Sequence, residues 1–317
     1  MTATERLLRD TARSLLAEKK VDLVIGYEQG TLPLRTTPCF IRNPDEAERL
    51  VWNRCCENNL ARYLRDRRER IGLVTKGCDA RSLVMTINER QLARENVFII
   101  GVPCRGILDR GKIERQLGWQ EILAATLADE QVIVAGEGFE ERLPQEDFLC
   151  EQCLVCEQRT PSVYDVLVGE PVPAAEGADP FQEVRALEAR SAAERWAIFS
   201  QEFARCIRCY ACRQACPLCY CKECFVDQGQ PCWVGKSDDP SDVLLFQIVR
   251  MLHIAGRCVD CGACDRACPM GIDLRALTSK VSKDIREWYG YQAGMDIGAI
   301  PPLATFRPDD PQEFIKS

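Results

Sequence analysis

Histidine is almost missing from this chain: His253 is the only one among 317 residues. Imidazole is the side chain that ordinarily changes charge near neutral pH, so histidine acid–base or nucleophilic catalysis has almost nothing to work with. Long apolar runs are missing too. None approaches the roughly 20 residues of a membrane-spanning helix, and Met1 to Lys20 is charged throughout, without the apolar core of a secretory signal. No Gly-x-Gly-x-x-Gly occurs, which leaves the dinucleotide-binding turn without a counterpart. Nor is there a basic excess: the formal charge is -7, which argues against nucleic acid as the partner. What is abundant is cysteine, with 20 residues. A small secreted chain would use them as disulfides, whereas a chain without a signal is expected in a reducing cytoplasm with its thiols kept for metal. The length and the 46% apolar content suit a globular protein with two cores.

The cysteines are organised. Cys206-Ile-Arg-Cys209-Tyr-Ala-Cys212-Arg-Gln-Ala-Cys216-Pro217 is matched by Cys258-Val-Asp-Cys261-Gly-Ala-Cys264-Asp-Arg-Ala-Cys268-Pro269. Each is the C-x2-C-x2-C-x3-C-P run of a two-cluster ferredoxin, in which the fourth Cys serves the other cluster. Three thiolates from one tight loop reach three corners of a cubane, and the proline turns the chain away after the fourth. The spacing therefore predicts one 4Fe-4S cluster on Cys206, Cys209, Cys212 and Cys268, and another on Cys258, Cys261, Cys264 and Cys216. Zinc competes for C-x2-C pairs, but two complete runs of four favour clusters.

Along the chain, a helix over 1–20 is followed by a strand from Val21 to Tyr27. Asn43-Pro44-Asp45-Glu46 reads as the start of a helix through Leu50, Val51, Leu60 and Leu64. Strands at Ile71–Thr75, Asn96–Val102, Gln131–Ala135 and Val163–Val168 alternate with helices from Asp79 to Arg94 and over 106–128. This rhythm predicts an α/β domain with a mostly parallel sheet over 1–170. A linker and a helix occupy 171–200, the helix running on to about Phe203, and 286–317 reads as an extended tail. Between the Cys runs, a helix from Asp242 to Ala255, capped by Ser241, sets residues 201–285 apart from compact β-rich ferredoxins. This region resembles the mainly α-helical dicluster ferredoxin domain of succinate dehydrogenase and heterodisulfide reductase iron–sulfur subunits.

The first domain carries its own thiols. Cys78 and Cys104 each lie just past a predicted strand end, where open α/β sheets form their sites. Cys150, Cys153 and Cys156 follow as a compact triplet, and spacing allows either Cys78 or Cys150 to complete a four-thiol set with Cys104, Cys153 and Cys156. Lys76-Gly-Cys78-Asp-Ala-Arg81, the strand into Pro103-Cys104, and Cys153-x2-Cys156 followed by Asp165-Val-Leu-Val-Gly169 are similar to the beta subunits of coenzyme F-420 hydrogenases and dehydrogenases. The resemblance covers about residues 15–170. It implies one 4Fe-4S cluster held by Cys78, Cys104, Cys153 and Cys156 beside a flavin, with FAD as the cofactor and Lys76 and Arg81 as phosphate-binding candidates. The alternative role for those two cations is a positive rim beside anionic clusters. Residues 1–30 show no counterpart of the family's glycine-rich segment.

Cys219-Tyr-Cys221-Lys-Glu-Cys224, with Cys232 further on, is dense enough in thiols to expect a fourth cluster or a zinc. Cys39, Cys55 and Cys56 read as small buried hydrophobes, Cys56 being a reserve ligand for the first-domain site. The whole reads as an electron-transferring iron–sulfur subunit of a multi-subunit cytoplasmic oxidoreductase, with no catalytic residue of its own. The resemblance implies a flavoprotein, a hydrogenase or a formate dehydrogenase as partner. The competing readings are a flavoenzyme exchanging hydride with a deazaflavin or nicotinamide, and a cluster-based redox sensor. The sensor lacks any DNA-binding element.

Overall fold

The computed structural model describes residues 2–305 apart from 129, 176 and 178. Helix α1 (Ala3–Ala17) is capped by Thr2, whose hydroxyl accepts from the Glu5 N–H, and buries Leu8, Ala12, Leu15 and Leu16. It is followed by β1 (Leu23–Gln29), β2 (Thr36–Ile41), β3 (Ile71–Thr75), α2 (Gly77–Asn88) and β4 (Val97–Gly101). Next come α3 (Arg110–Gln116), β5 (Ala124–Ala128), β6 (Gln131–Gly136), β7 (Phe139–Pro144), α4 (Glu151–Leu154) and β8 (Val166–Leu167). One sheet has the order β2-β1-β3-β4-β8. Only the β1–β2 pairing is antiparallel; β1–β3, β3–β4 and β4–β8 are parallel. Every residue of β3 is buried, as a central parallel strand covered on both faces requires. The mostly parallel α/β expectation holds for this sheet.

A second sheet, β5-β6-β7, is an antiparallel meander with its own core of Ile113, Leu117, Val132, Val134 and Leu143. Helix was expected over much of this stretch. It stops at Gln116 because Gly118 and Trp119 both take positive φ, after which Ala124–Ala128 finds a partner in β6. The helix expected from Asn43 is also replaced by two 3-10 turns, Pro44–Arg49 and Leu60–Leu64. The Asn43–Glu46 capping box forms. Beyond it, the Val51 N–H donates to Tyr27 O and Leu50 bridges Glu28, so the sheet takes the bonds a helix would need.

The remaining elements are helical: α5 (Gln182–Glu188), α6 (Ala192–Ala204), α7 (Ala211–Ala215), α8 (Pro240–His253), α9 (Ala263–Arg266) and α10 (Arg275–Tyr289). The single helix expected up to Phe203 is two, because Ser191 and Glu194 form a new capping box. Helix α8 is capped by Asp239, which accepts from the Ser241 N–H, rather than by Ser241. Phe203, Val243, Phe246, Ile272 and Leu274 make the core here. The segment after α10 is not a free tail as far as it is described. Asn88 donates to the carbonyls of Asp296 and Ala299 at 3.0 and 2.9 Å, and Ala293 is buried with Met85, Leu218 and Val259. The rest of the expected tail, 306–317, lies outside the described residues.

Candidate metal centres

The two Cys runs fold alike. In the first, Arg208 and Tyr210 have positive φ before α7; in the second, Asp260 and Gly262, at the same places in the repeat, have positive φ before α9. Left-handed residues are costly unless glycine, and here they curl each loop so that its thiols converge. Cys206, Cys209, Cys212 and Cys268 line one hollow of about 330 Å³. Cys216, Cys258, Cys261 and Cys264 line another of about 400 Å³. Each run thus lends its last cysteine to the cavity of the other. In the second set, burial pushes the Cys258 thiol up to about 12 and also raises Cys264. In the first it raises Cys212. Thiols held this way do not ionise without a cation, which the iron of a cluster would supply.

In the α/β half, Cys78 lies in the first turn of α2 directly beyond β3, and Cys104 follows β4, its N–H donating to Arg159 O at 2.8 Å. Cys150 is the N-cap of α4, while Cys153 and Cys156 lie on and after that helix. A Cβ at Gly77 would sit 1.8 Å from Gln158 O, so only glycine lets the loop after Cys156 close over the Cys78 turn. Burial raises Cys104 to about 12, the nearby Cys153 adding to the effect; burial raises Cys78 too, with Asp79 and then Cys261 and Cys104 contributing. Cys150 donates to the Cys153 sulfur, which holds Cys153 down at about 6 and pushes Cys150 well up. Cys78, Cys156 and Cys258 line a common cavity of about 750 Å³. The first-domain thiols therefore face the second Cys run across the junction between the two halves. There Gly262 permits close approach of Gln152, whose side chain would be 2.3 Å from a Cβ at that position.

Buried cations occupy the spaces between the thiol sets. Lys76, 2% exposed, donates to Asp79 Oδ2 and Asn58 O, both at 2.8 Å, and to the Tyr27 hydroxyl. Its three N–H groups are thus committed inside the protein, which fits a charge beside the thiols of Cys78 and Cys104 rather than a hand for an external phosphate. Arg81 is held by Ala293 O and Val259 O at 2.9 and 3.2 Å and faces Cys156, Cys258 and Cys78. Arg266 donates to Cys261 O and Glu57 O, with Cys150, Cys261 and Cys153 as neighbouring thiols. Arg250, 4% exposed, donates to Cys212 O and faces the thiols of Cys264, Cys212, Cys216 and Cys219.

Buried charges are normally paired, yet among the described residues Arg250 forms no ion pair with a carboxylate. A cluster ligated by four thiolates carries the negative charge it lacks, so the residues present fit the group. Arg250 and Arg266 were not singled out from the sequence. A signal for Arg250 existed: with Val243, Phe246 and Gln247 it falls on the i, i+3, i+4, i+7 stripe that α8 buries. Gln247 in turn lies 3.7 Å from the Cys206 sulfur.

Cys219, Cys221 and Cys224 line a further cavity with His253, whereas the exposed Cys232 turns its sulfur to Val234 O. Cys39, Cys55 and Cys56 are buried and pushed up to about 12 by that burial. Among the described residues, no group of three or more His, Cys, Asp or Glu is gathered as around a single ion. No helix of the described residues is long and apolar enough to cross a membrane.

No family model matches the chain. It is 26% identical over 353 residues to the F420-dependent formate dehydrogenase subunit beta of Methanocaldococcus jannaschii, covering 91% of each chain. To the F420-dependent formate dehydrogenase 1 subunit beta of Methanococcus maripaludis it is 25% identical over 354 residues, or 91% of this chain and 90% of the relative. Among solved structures, a chain of the F420-reducing [NiFe] hydrogenase complex from Methanosarcina barkeri is similar over 47% of this chain and 59% of that one, with 16% identity and a TM-score of 0.35. Over about nine-tenths of its length the chain is thus similar to beta subunits of F420-dependent formate dehydrogenases.

Proposed function

We propose that this chain is the iron–sulfur electron-transfer subunit of a multi-subunit formate dehydrogenase, linking a formate-oxidising partner to a deazaflavin acceptor. The observation that carries the reading is the exchange of last cysteines: Cys268 shares a cavity with Cys206, Cys209 and Cys212, and Cys216 with Cys258, Cys261 and Cys264. The full-length likeness to F420-dependent formate dehydrogenase beta subunits supplies the partner and acceptor classes.

In this reading Cys78, Cys104, Cys153 and Cys156 hold a cluster in the α/β half, and residues 201–285 form a helical dicluster domain. Cys150 is left as the thiol that donates to the Cys153 sulfur. Bound 4Fe-4S clusters supply one-electron chemistry, with potentials tuned by hydrogen bonds, burial and local charge. The chain's own residues set those variables. Its thiolates fix position, Gln247 reaches the Cys206 sulfur, and Arg81, Arg250 and Arg266 supply positive charge between the thiol sets. No general base is needed, which agrees with a single histidine.

The swap is tested by spectroscopy of anaerobically prepared full-length variants. Cys268→Ser should disturb the same cluster signal as Cys206→Ser and leave the one sensitive to Cys258→Ser. If Cys268→Ser instead reproduces Cys258→Ser, the assignment is wrong. The role is tested by formate-dependent deazaflavin reduction with and without the partner. Turnover by the chain alone, at rates of roughly 1–1000 per second typical of enzymes, would replace the relay with a flavoenzyme. That second reading has one observation in its favour. The cavity at the junction is lined by Phe181 and Tyr291 as well as Arg81 and Arg286, a mixture suited to a flavin such as FAD. Flavin content of the same sample tests it.

A further inference from the structure

The segment after Cys216 is not used by the clusters proposed above. Cys219, Cys221 and Cys224 all line one further cavity, Cys219 with its sulfur hydrogen-bonded to the Cys216 thiol. Arg213, Arg250 and Arg257 line the same cavity. Arg250 is buried, and Arg213 reaches the Cys224 thiol while pairing with Asp227 at 2.7 Å. Cys219 beside Arg250 and Arg257, and Cys224 beside Arg213, repeat the thiol–guanidinium arrangement seen around Cys212, Cys216 and Cys264. Arg250 is shared between those thiols and Cys219. The chain's only histidine, His253, lines the same cavity from α8, its ring edge-on to Phe225.

We infer that Cys219, Cys221 and Cys224 hold a further iron–sulfur cluster in this cavity, next to the cluster that includes Cys216. Cys232 is excluded as its fourth ligand, because its sulfur faces Val234 O outside the cavity. The cluster is anionic, and the guanidinium groups compensate it where no carboxylate beyond Asp227 and the Glu89 partner of Arg257 is engaged. Its place beside Cys216 makes it a branch of the relay, at the face where Cys221 is exposed. This inference does not depend on which partner or acceptor the complex uses.

The test is elemental and spectroscopic. Full-length protein is purified anaerobically, and iron, acid-labile sulfide and zinc are measured together with quantitative Mössbauer spectra. Three clusters account for about twelve irons per chain and a fourth cubane raises this to about sixteen. Cys221→Ser/Cys224→Ser should remove about four irons and one spectral component, leaving the component sensitive to Cys206→Ser intact. Cys232→Ser should remove none. A parent protein saturating near twelve irons, or stoichiometric zinc lost from the double variant in place of iron, overturns the assignment. Cys104→Ser/Cys153→Ser is measured beside the parent, because a loss of about four irons in that variant fixes the α/β-half share of the count, and the parent near sixteen or near twelve then decides the matter even where the Cys221/Cys224 variant fails to fold. Failure of the Cys268 swap would leave these counts untouched, so the two readings fall separately.

Discussion

Replacing Lys76 by methionine removes the positive half of the most deeply buried ion pair around the candidate centres. Lys76 Nζ lies 2.8 Å from Asp79 Oδ2, with side-chain exposures of 2% and 0%. Burial opposes the charge on Lys76, but Asp79 and the thiols of Cys78 and Cys104 outweigh it, and the amine is held above its usual range. Removing one partner of such a pair costs about 3–5 kcal/mol, because the other charge stays buried and uncompensated. Asp79 would keep the Tyr27 hydroxyl at 3.2 Å, the Lys76 backbone N–H at 3.3 Å and the Cys78 thiol at 3.8 Å. At about 2–4 °C per kcal/mol for a unit of 150–250 residues, Lys76→Met should melt about 6–20 °C below the parent. Lys76→Met/Asp79→Leu should recover part of that loss, since no lone charge remains. Calorimetry under anaerobic conditions reads both, with iron measured on the same samples to separate ion-pair loss from cluster loss. A single variant with full iron melting within about 2 °C of the parent, equivalent to less than about 1 kcal/mol, would refute the argument.

Gly77→Ala gains helix propensity of about 1 kcal/mol, yet it should destabilise the α/β half and lower its iron content, because the new methyl lands on Gln158 O. Iron at or above the parent's would show that the loop is not held there. Cys39, 1% exposed and raised to about 12 mainly by burial, stays protonated in the fold where the unfolded thiol ionises. Stability should therefore fall as pH rises from about 9 to 12, by about 1.4 kcal/mol per pH unit for this group. Cys39→Val should flatten that slope in denaturant titrations, and an unchanged slope would assign it elsewhere.

The gathering of the cysteines was the most legible part of this molecule, because three thiols of one short run are brought together by local spacing. The parallel strands were legible for a similar reason: Ile71–Thr75 and Val97–Gly101 are continuous apolar runs that only a doubly covered sheet explains. The meander was not. Ala124–Ala128 has a composition that serves a helix equally well, and its state is decided by pairing with Gln131–Gly136. Helix caps failed by a few residues where two candidates competed, as at Asp239 and Ser241. The cations between the thiol sets were hidden because contacts such as Arg81 to Ala293, or Arg266 to Glu57, join segments about two hundred residues apart. Only Arg250 left a trace, as a charge on an otherwise apolar stripe.

Those cations make a last prediction about metal removal. Arg81 lies between Cys78 and Cys156 of the α/β half and Cys258 of the helical half. Arg266 reaches from the second Cys run to Glu57 and faces Cys150 and Cys153. Both therefore sit on the junction, and in the proposed centres thiolate sulfur would add to the carboxylates beside them, Asp260 for Arg81 and Glu57, 4.0 Å away, for Arg266. Metal binding keeps those sulfurs ionised; without it the buried thiols protonate, as their raised positions for Cys78 and Cys258 require. Each guanidinium then keeps only its carboxylate neighbour, Asp260 or Glu57, and loses part of its compensation, at a cost below the roughly 3–5 kcal/mol of a buried pair broken outright. The cheapest relief is to let water into the junction. Hydrogen exchange should accordingly rise on chelation at α2 and around Val259 and Ala293, whose carbonyls hold Arg81. Exchange in β1 and β3 should change little, because their core of Leu23, Ile25, Leu73 and Val74 contains no ligand. Uniform loss of protection across both halves would mean that the centres hold the whole fold together. Unchanged exchange at the junction would mean that the arginines are compensated by something other than the metal centres.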